Sequence, residues 1–139
     1  MLAACAITTM RRMKRSFDEL VQLMTRLRGP DGCPWDRAQT IETMLDCLKS
    51  ETSEVEEAVL KKDYKNLQEE LGDVLFQIVM IAQIAKEQKH FKMDDVIKDI
   101  DKKIRSRHTW VFGKDKAKTP EEAVAMWKRN KASSKKRGL

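Results

Sequence analysis

The stretch from Leu71 to Ala85 reads LGDVLFQIVMIAQIA and holds a single charged residue, Asp73. At helical pitch it is apolar nearly all round, which suits an element packed on more than one side. It falls short of the roughly 20 residues of a membrane span, so its cover has to come from other parts of a folded protein. No segment of the chain sustains an apolar/polar alternation of period two, and five segments carry the helical period instead. The expected fold is all-α, a helical bundle.

The first of these helices is expected to open at Ser16, with Glu19 completing a capping box, and to end at Gly29-Pro30. Phe17, Leu20, Val21, Met24 and Leu27 share one face of it. The linker over 29–39, with two Gly, two Pro and Trp35, reads as a structured loop pinned by Cys33 and Trp35. A second helix runs from Thr40 to about Lys62 with Ile41, Met44, Leu45, Leu48, Val55 and Val59 as its stripe. A third runs from Asp63 or Tyr64 to about Gln88. The fourth covers Met93 to about Arg107, with Val96, Ile97, Ile100 and Ile104 facing inward. Thr119-Pro120-Glu121-Glu122 supplies an N-cap, a proline at the first helical position and capping acids for the last helix, which carries Val124 and Trp127.

A length of 139 residues suits one domain. With 41% hydrophobic and 36% charged residues, collagen, low-complexity sequence and extensive disorder are excluded, and 6% aromatics argues against a β-sandwich. The net charge of +6 resides in the ends. Arg11, Arg12, Lys14 and Arg15 lie in an acid-free N-terminal extension over 1–15, expected to be flexible. Lys128, Arg129, Lys131, Lys135, Lys136 and Arg137 lead into a basic tail over 132–139. Without these ten the chain has 18 basic and 22 acidic residues, so the body over 16–127 is acidic. Such ends ordinarily keep a small protein soluble, and nucleic acid is the less favoured partner. A non-catalytic helical module binding nucleic acid through these ends is the alternative reading, with salt-sensitive affinity as its mark. Three cysteines without a CxxC pair suit neither a disulfide framework nor a zinc site. Leu2–Ile7 is too short for a signal-peptide core and its positive charges follow it, so a cytoplasmic protein away from membranes is expected.

Two helices carry paired acids. Glu51 and Glu54 are three apart on the second, and Glu70 and Asp73 are three apart on the third. Residues three apart share a helix face, so each helix can aim two oxygens at one point. Four converging carboxylates call for a divalent cation between them, and hard oxygen donors suit Mg²⁺, with Mn²⁺ as a substitute. A charge run such as Glu54–Glu57 is, taken alone, an ordinary solvated face. Gly72 inside the second pair costs a helix about 0.8–1 kcal/mol against alanine, which close approach of a neighbouring helix or ligand would explain. A di-iron bundle needs two Glu-x-x-His motifs, and the chain offers one, Glu87 to His90.

Gly32-Cys33-Pro34-Trp35-Asp36, then Gln39-Thr40, the Glu51/Glu54 pair and Glu69-Glu70-Leu71-Gly72-Asp73 together resemble the MazG nucleoside triphosphate pyrophosphohydrolases. Arg107-His108, Val111-Phe112-Gly113 and Trp127 extend the resemblance over roughly residues 16 to 131. It is strongest to the N-terminal copy of tandem members. The resemblance implies a four-helix core completed by homo-oligomerisation, as a dimer or tetramer. It also implies hydrolysis of a nucleoside triphosphate to monophosphate and pyrophosphate, with water attacking the α-phosphorus under Mg²⁺.

Carried over by position, Glu51, Glu54, Glu70 and Asp73 match the family's metal ligands and catalytic carboxylates. Lys103 and Arg107 match its phosphate-contacting pair, and Trp127 and Lys131 a C-terminal pair near the nucleotide. Thr52-Ser53 and Thr109-Trp110 depart from the family pattern, removing no ligand but changing residues expected to line the pocket.

Overall fold

The computed structural model describes residues 2–136, with side chains from Arg12 to Ser134 apart from Lys14. Most of the basic extension and part of the basic tail lie outside those side chains. Among the described residues the chain forms seven helices and no strand: α1 Leu2–Leu27, α2 Pro34–Ala38, α3 Ile41–Lys61, α4 Tyr64–Glu87, α5 Met93–Arg107, α6 Thr109–Phe112 and α7 Pro120–Lys136. They divide into two compact units, residues 1–93 and 94–139.

In the first unit, α3 and α4 form an antiparallel hairpin. Thr40 caps α3, its hydroxyl accepting from the Thr43 N–H at 3.2 Å while its own N–H donates to the Thr43 hydroxyl at 2.9 Å. This is a reciprocal capping box built from two threonines. At the far end Lys62 takes a left-handed φ of 55°, and the Asp63 N–H returns to the Ala58 carbonyl at 3.0 Å. Asp63 then caps α4 through the Asn66 N–H at 3.0 Å. Two residues thus stop one helix and start the next.

Helix α1 runs alongside α4 in the same direction, since Thr25 bonds to Gln83 and Arg28, three residues later, to Glu87. Met24, Met44, Val79, Met80 and Ile84 form the core, each at most 2% exposed. Burying such a side chain contributes about 1.5–3 kcal/mol, and flexible Met fills the irregular space between three helices. Helix α4 is most buried from Gln77 to Ala85, whereas Leu71, Leu75 and Ile78 stay 37% to 52% exposed, so burial on every side does not extend over the whole Leu71–Ala85 run within one chain.

Three expectations are corrected. The first helix does not start at Ser16; it is already helical upstream, and the Ser16 hydroxyl bonds back to the Arg12 carbonyl at 3.0 Å. The linker contains the single-turn α2, and Trp35 is 56% exposed, so it does not pin the loop. Arg28 does, donating to the Asp36 and Gln39 carbonyls while its other edge grips Glu87 at 2.8 Å. On α5, Ile97, Ile100 and Ile104 are each at least 40% exposed and so do not face a packed interior within one chain.

In that second unit Asn130 joins α7 to the end of α5. Its amide donates to the Arg107 carbonyl at 3.1 Å and to the Thr109 hydroxyl at 2.9 Å. Thr109 in turn donates to Asp115, which Arg129 also reaches at 3.2 Å.

Candidate functional site

Antiparallel packing of α3 on α4 brings the acidic pairs of the two helices together. Oxygens of Glu51, Glu70 and Asp73 all lie within 4.8 Å of one another. Glu70 is 7% exposed, Glu51 half-buried and Asp73 exposed, so the group runs from the helix interface out to solvent. Glu54 stands outside this closest set but acts on it electrostatically. Burial pushes the Glu51 carboxyl above the usual carboxylate range, and Glu54 and Asp73 push it further. Burial likewise raises Glu70, followed by Glu54, Asp73, Glu51 and Glu69.

Within this unit no Lys, Arg or His is ion-paired with any of the four acids among the described residues. Like charges gathered at one point with no ion-paired protein cation suit a divalent ion, and an all-carboxylate donor set fits Mg²⁺ or Mn²⁺. Gln77, one turn beyond Asp73, adds an amide beside these acids: its Nε2 donates to Glu51 Oε1 at 3.4 Å. Sequence reasoning missed it. Its only signal was a neutral polar residue set in the apolar Leu71–Ala85 run.

Gly72 does not explain itself as expected. A Cβ there would meet nothing within 4 Å, so no neighbouring part of the chain requires a glycine.

The second unit gathers three of the four remaining candidates. The Arg107 guanidinium lies 5.2 Å, and the Lys131 ammonium 5.0 Å, from the centroid of the Trp127 ring. Both are cation–π contacts. Arg107 Nε is buried with no partner among the described residues. Lys103 sits one turn before Arg107 on α5 and is exposed.

A sequence model of the MazG nucleotide pyrophosphohydrolase domain matches residues 39–112. The chain belongs to this family. The MazG match holds the four acids together with Lys103 and Arg107, whereas Trp127 and Lys131 lie beyond it. Over 120 residues the chain is 40% identical to the nucleoside triphosphate pyrophosphohydrolase of Escherichia coli K12, covering 86% of this chain and 46% of that protein. Over 119 residues it is 43% identical to the nucleoside triphosphate pyrophosphohydrolase/pyrophosphatase MazG of Thermotoga maritima, with 86% and 45% covered. The chain thus spans less than half the length of these two relatives. Its fold superposes on the crystal structure of a mazG-related protein from Thermotoga maritima with a TM-score of 0.70 at 37% identity, over 83% of this chain and 98% of that one.

Proposed function

We propose that this chain hydrolyses nucleoside triphosphates to nucleoside monophosphate and pyrophosphate with Mg²⁺, Mn²⁺ substituting. The observation that carries the reading is the convergence of Glu51, Glu70 and Asp73 within 4.8 Å, with no Lys, Arg or His ion-paired to them among the described residues of that unit. These three, with Glu54, would hold the cation. When bound, the cation neutralises phosphate charge and makes water a usable nucleophile near neutral pH. One of these carboxylates would accept the proton of the attacking water.

Lys103 and Arg107 supply positive charge for the phosphates, Arg107 with a fork of donors and Lys103 as a point charge. Trp127, flanked by Arg107 and Lys131, offers a ring for stacking a base, which is tolerant of base identity. The relatives from Escherichia coli and Thermotoga maritima, named as nucleoside triphosphate pyrophosphohydrolases, support this substrate class. Removal of surplus or non-standard nucleotides is the role such tolerance serves. A cytoplasmic setting fits, and among the described residues no helix is long and apolar enough to cross a membrane.

Self-association belongs to the same proposal. Leu71, Leu75 and Ile78 on α4 and Leu45 on α3 are between 37% and 52% exposed. A second copy packed on this face would complete a four-helix core and would give Gly72 the close neighbour it lacks within one chain.

Release of pyrophosphate from a panel of ribo- and deoxyribonucleoside triphosphates, with Mg²⁺ and with EDTA, tests the reaction. Release with Mg²⁺ and none with EDTA is expected. Silence across the panel from folded protein would contradict it.

A further inference from the structure

Gln77 is only 7% exposed, yet its amide is half used. Nε2 reaches across the hairpin to Glu51 Oε1 at 3.4 Å. Oε1 is sealed from solvent and meets no donor among the described residues. Turning the amide over would not mend this, because its carbonyl would then face a carboxylate oxygen, acceptor against acceptor. A buried acceptor left unmet is costly, and a methionine of the same length would fill the space without that cost. Packing alone therefore gives no reason for an amide here. Of the uncharged polar residues on the buried half of α4, Gln83 is fully engaged, with Thr25 and Glu87. Gln77 is not, and it is the one beside the acids.

Resting on the reading of Glu51, Glu70 and Asp73 as cation ligands, we infer that Gln77 is a positioning residue for that site. Its N–H holds Glu51 Oε1 and leaves the other carboxylate oxygen to the cation. Its Oε1 accepts from a water carried in with the ion. Mg²⁺ is octahedral, so four carboxylate ligands would leave about two positions to water, and each such water is a strong donor looking for an acceptor. Carboxylate ligands held by a hydrogen bond to a second residue are oriented before the ion arrives, and loss of such a partner weakens metal binding about 10–100-fold.

Titration of the full chain with Mn²⁺, read by electron paramagnetic resonance without nucleotide, tests this in wild type, Gln77→Met, Glu51→Gln and the double variant. Gln77→Met is expected to weaken Mn²⁺ binding about tenfold or more, without lowering the metal-free melting temperature. In the Glu51→Gln background the same change should alter affinity by no more than roughly twofold, since the residue through which Gln77 acts is already neutral. Unchanged Mn²⁺ affinity in Gln77→Met, with or without a lowered melting temperature, would overturn the inference. An equal loss in both backgrounds would overturn the route through Glu51. A wild-type chain that binds no Mn²⁺ would overturn the cation site and this inference with it, and the flat wild-type titration would distinguish that case. Gln77→Asn, which retracts the amide by one carbon, should weaken binding in the same direction and provides the test should Gln77→Met fail to fold.

Discussion

The Arg107 guanidinium on α5 lies over the Trp127 ring on α7, 5.2 Å from its centroid, and Lys131 lies 5.0 Å from the same centroid. One aromatic ring thereby gathers two of the cations assigned to a polyanionic substrate. Replacement by leucine removes the ring but keeps an apolar side chain. Stacking of a base on an aromatic side chain is worth about 1–3 kcal/mol, so Trp127→Leu should raise KM for nucleoside triphosphate about tenfold or more. Steady-state kinetics beside thermal melting checks this. A lowered melting temperature with unchanged KM would make Trp127 a packing residue only.

The acids on α3 and α4 are expected to act as a unit. Glu54→Ala or Asp73→Ala should abolish Mg²⁺-dependent turnover while helicity by circular dichroism stays intact. Removing one of several crowded like charges should leave the metal-free chain no less stable, and more stable by a few tenths of a kcal/mol. Unchanged Mg²⁺-dependent rates in both variants would remove these residues from the site.

Acidity separates the two kinds of carboxylate in the first unit. Glu51 and Glu70 titrate above the ordinary 4.5 in the folded chain, so there the folded state binds protons more tightly than the unfolded one. Without metal, stability from this pair should therefore rise as pH falls through their folded values toward 4.5. Glu87 works in the other sense, since the hydrogen bond from Arg28 holds it below 4.5. Its contribution is complete above 4.5 and is lost as pH falls through its folded value. Protons compete with the cation for Glu51 and Glu70, so the gain in melting temperature from Mg²⁺ should shrink between about pH 7 and about pH 5. Melting curves with Mg²⁺ and with EDTA over that range check the sign, and a gain independent of pH would contradict it.

Arg28 joins three segments through one side chain that is 10% exposed. Arg28→Ala leaves the Asp36 and Gln39 carbonyls and the Glu87 carboxylate without this donor. A hydrogen bond involving a charged group is worth about 1.5–3 kcal/mol, and a loss of that order is expected in chemical unfolding. A change below about 0.5 kcal/mol, the ordinary range for a surface substitution, would show that the loop is held elsewhere.

Self-association through α4 predicts a species of at least twice 16.1 kDa in sedimentation. Leu75→Glu, at a position already 37% exposed, should give a monomer that keeps its helicity. A wild-type chain that sediments as a monomer would contradict the shared core.

Most of the helix boundaries were legible, because Thr40, Asp63 and Thr119 are capping residues whose bonds are local. The acidic pairs were legible for a related reason: three-residue spacing fixes a face, and the two-residue turn at Lys62 and Asp63 forces α3 and α4 side by side. What periodicity could not convey was tertiary. Ser16 resembles an N-cap, but upstream residues are also good helix formers, and the helix runs through it. The isoleucines of α5 have a helical period, yet a period names a face and not what covers it. Gln77 looked like an interruption of an apolar run until the hairpin placed Glu51 against it.

The proposed reaction is hydrolysis between the α- and β-phosphates at Glu51, Glu54, Glu70 and Asp73. Turnover of a nucleoside triphosphate in ¹⁸O-water with Mg²⁺, followed by mass analysis of the products, tests it most directly. The account predicts equal amounts of monophosphate and pyrophosphate, with the label in the monophosphate alone and no turnover in EDTA. Label in pyrophosphate, release of orthophosphate and diphosphate instead, or equal turnover without the cation would contradict it.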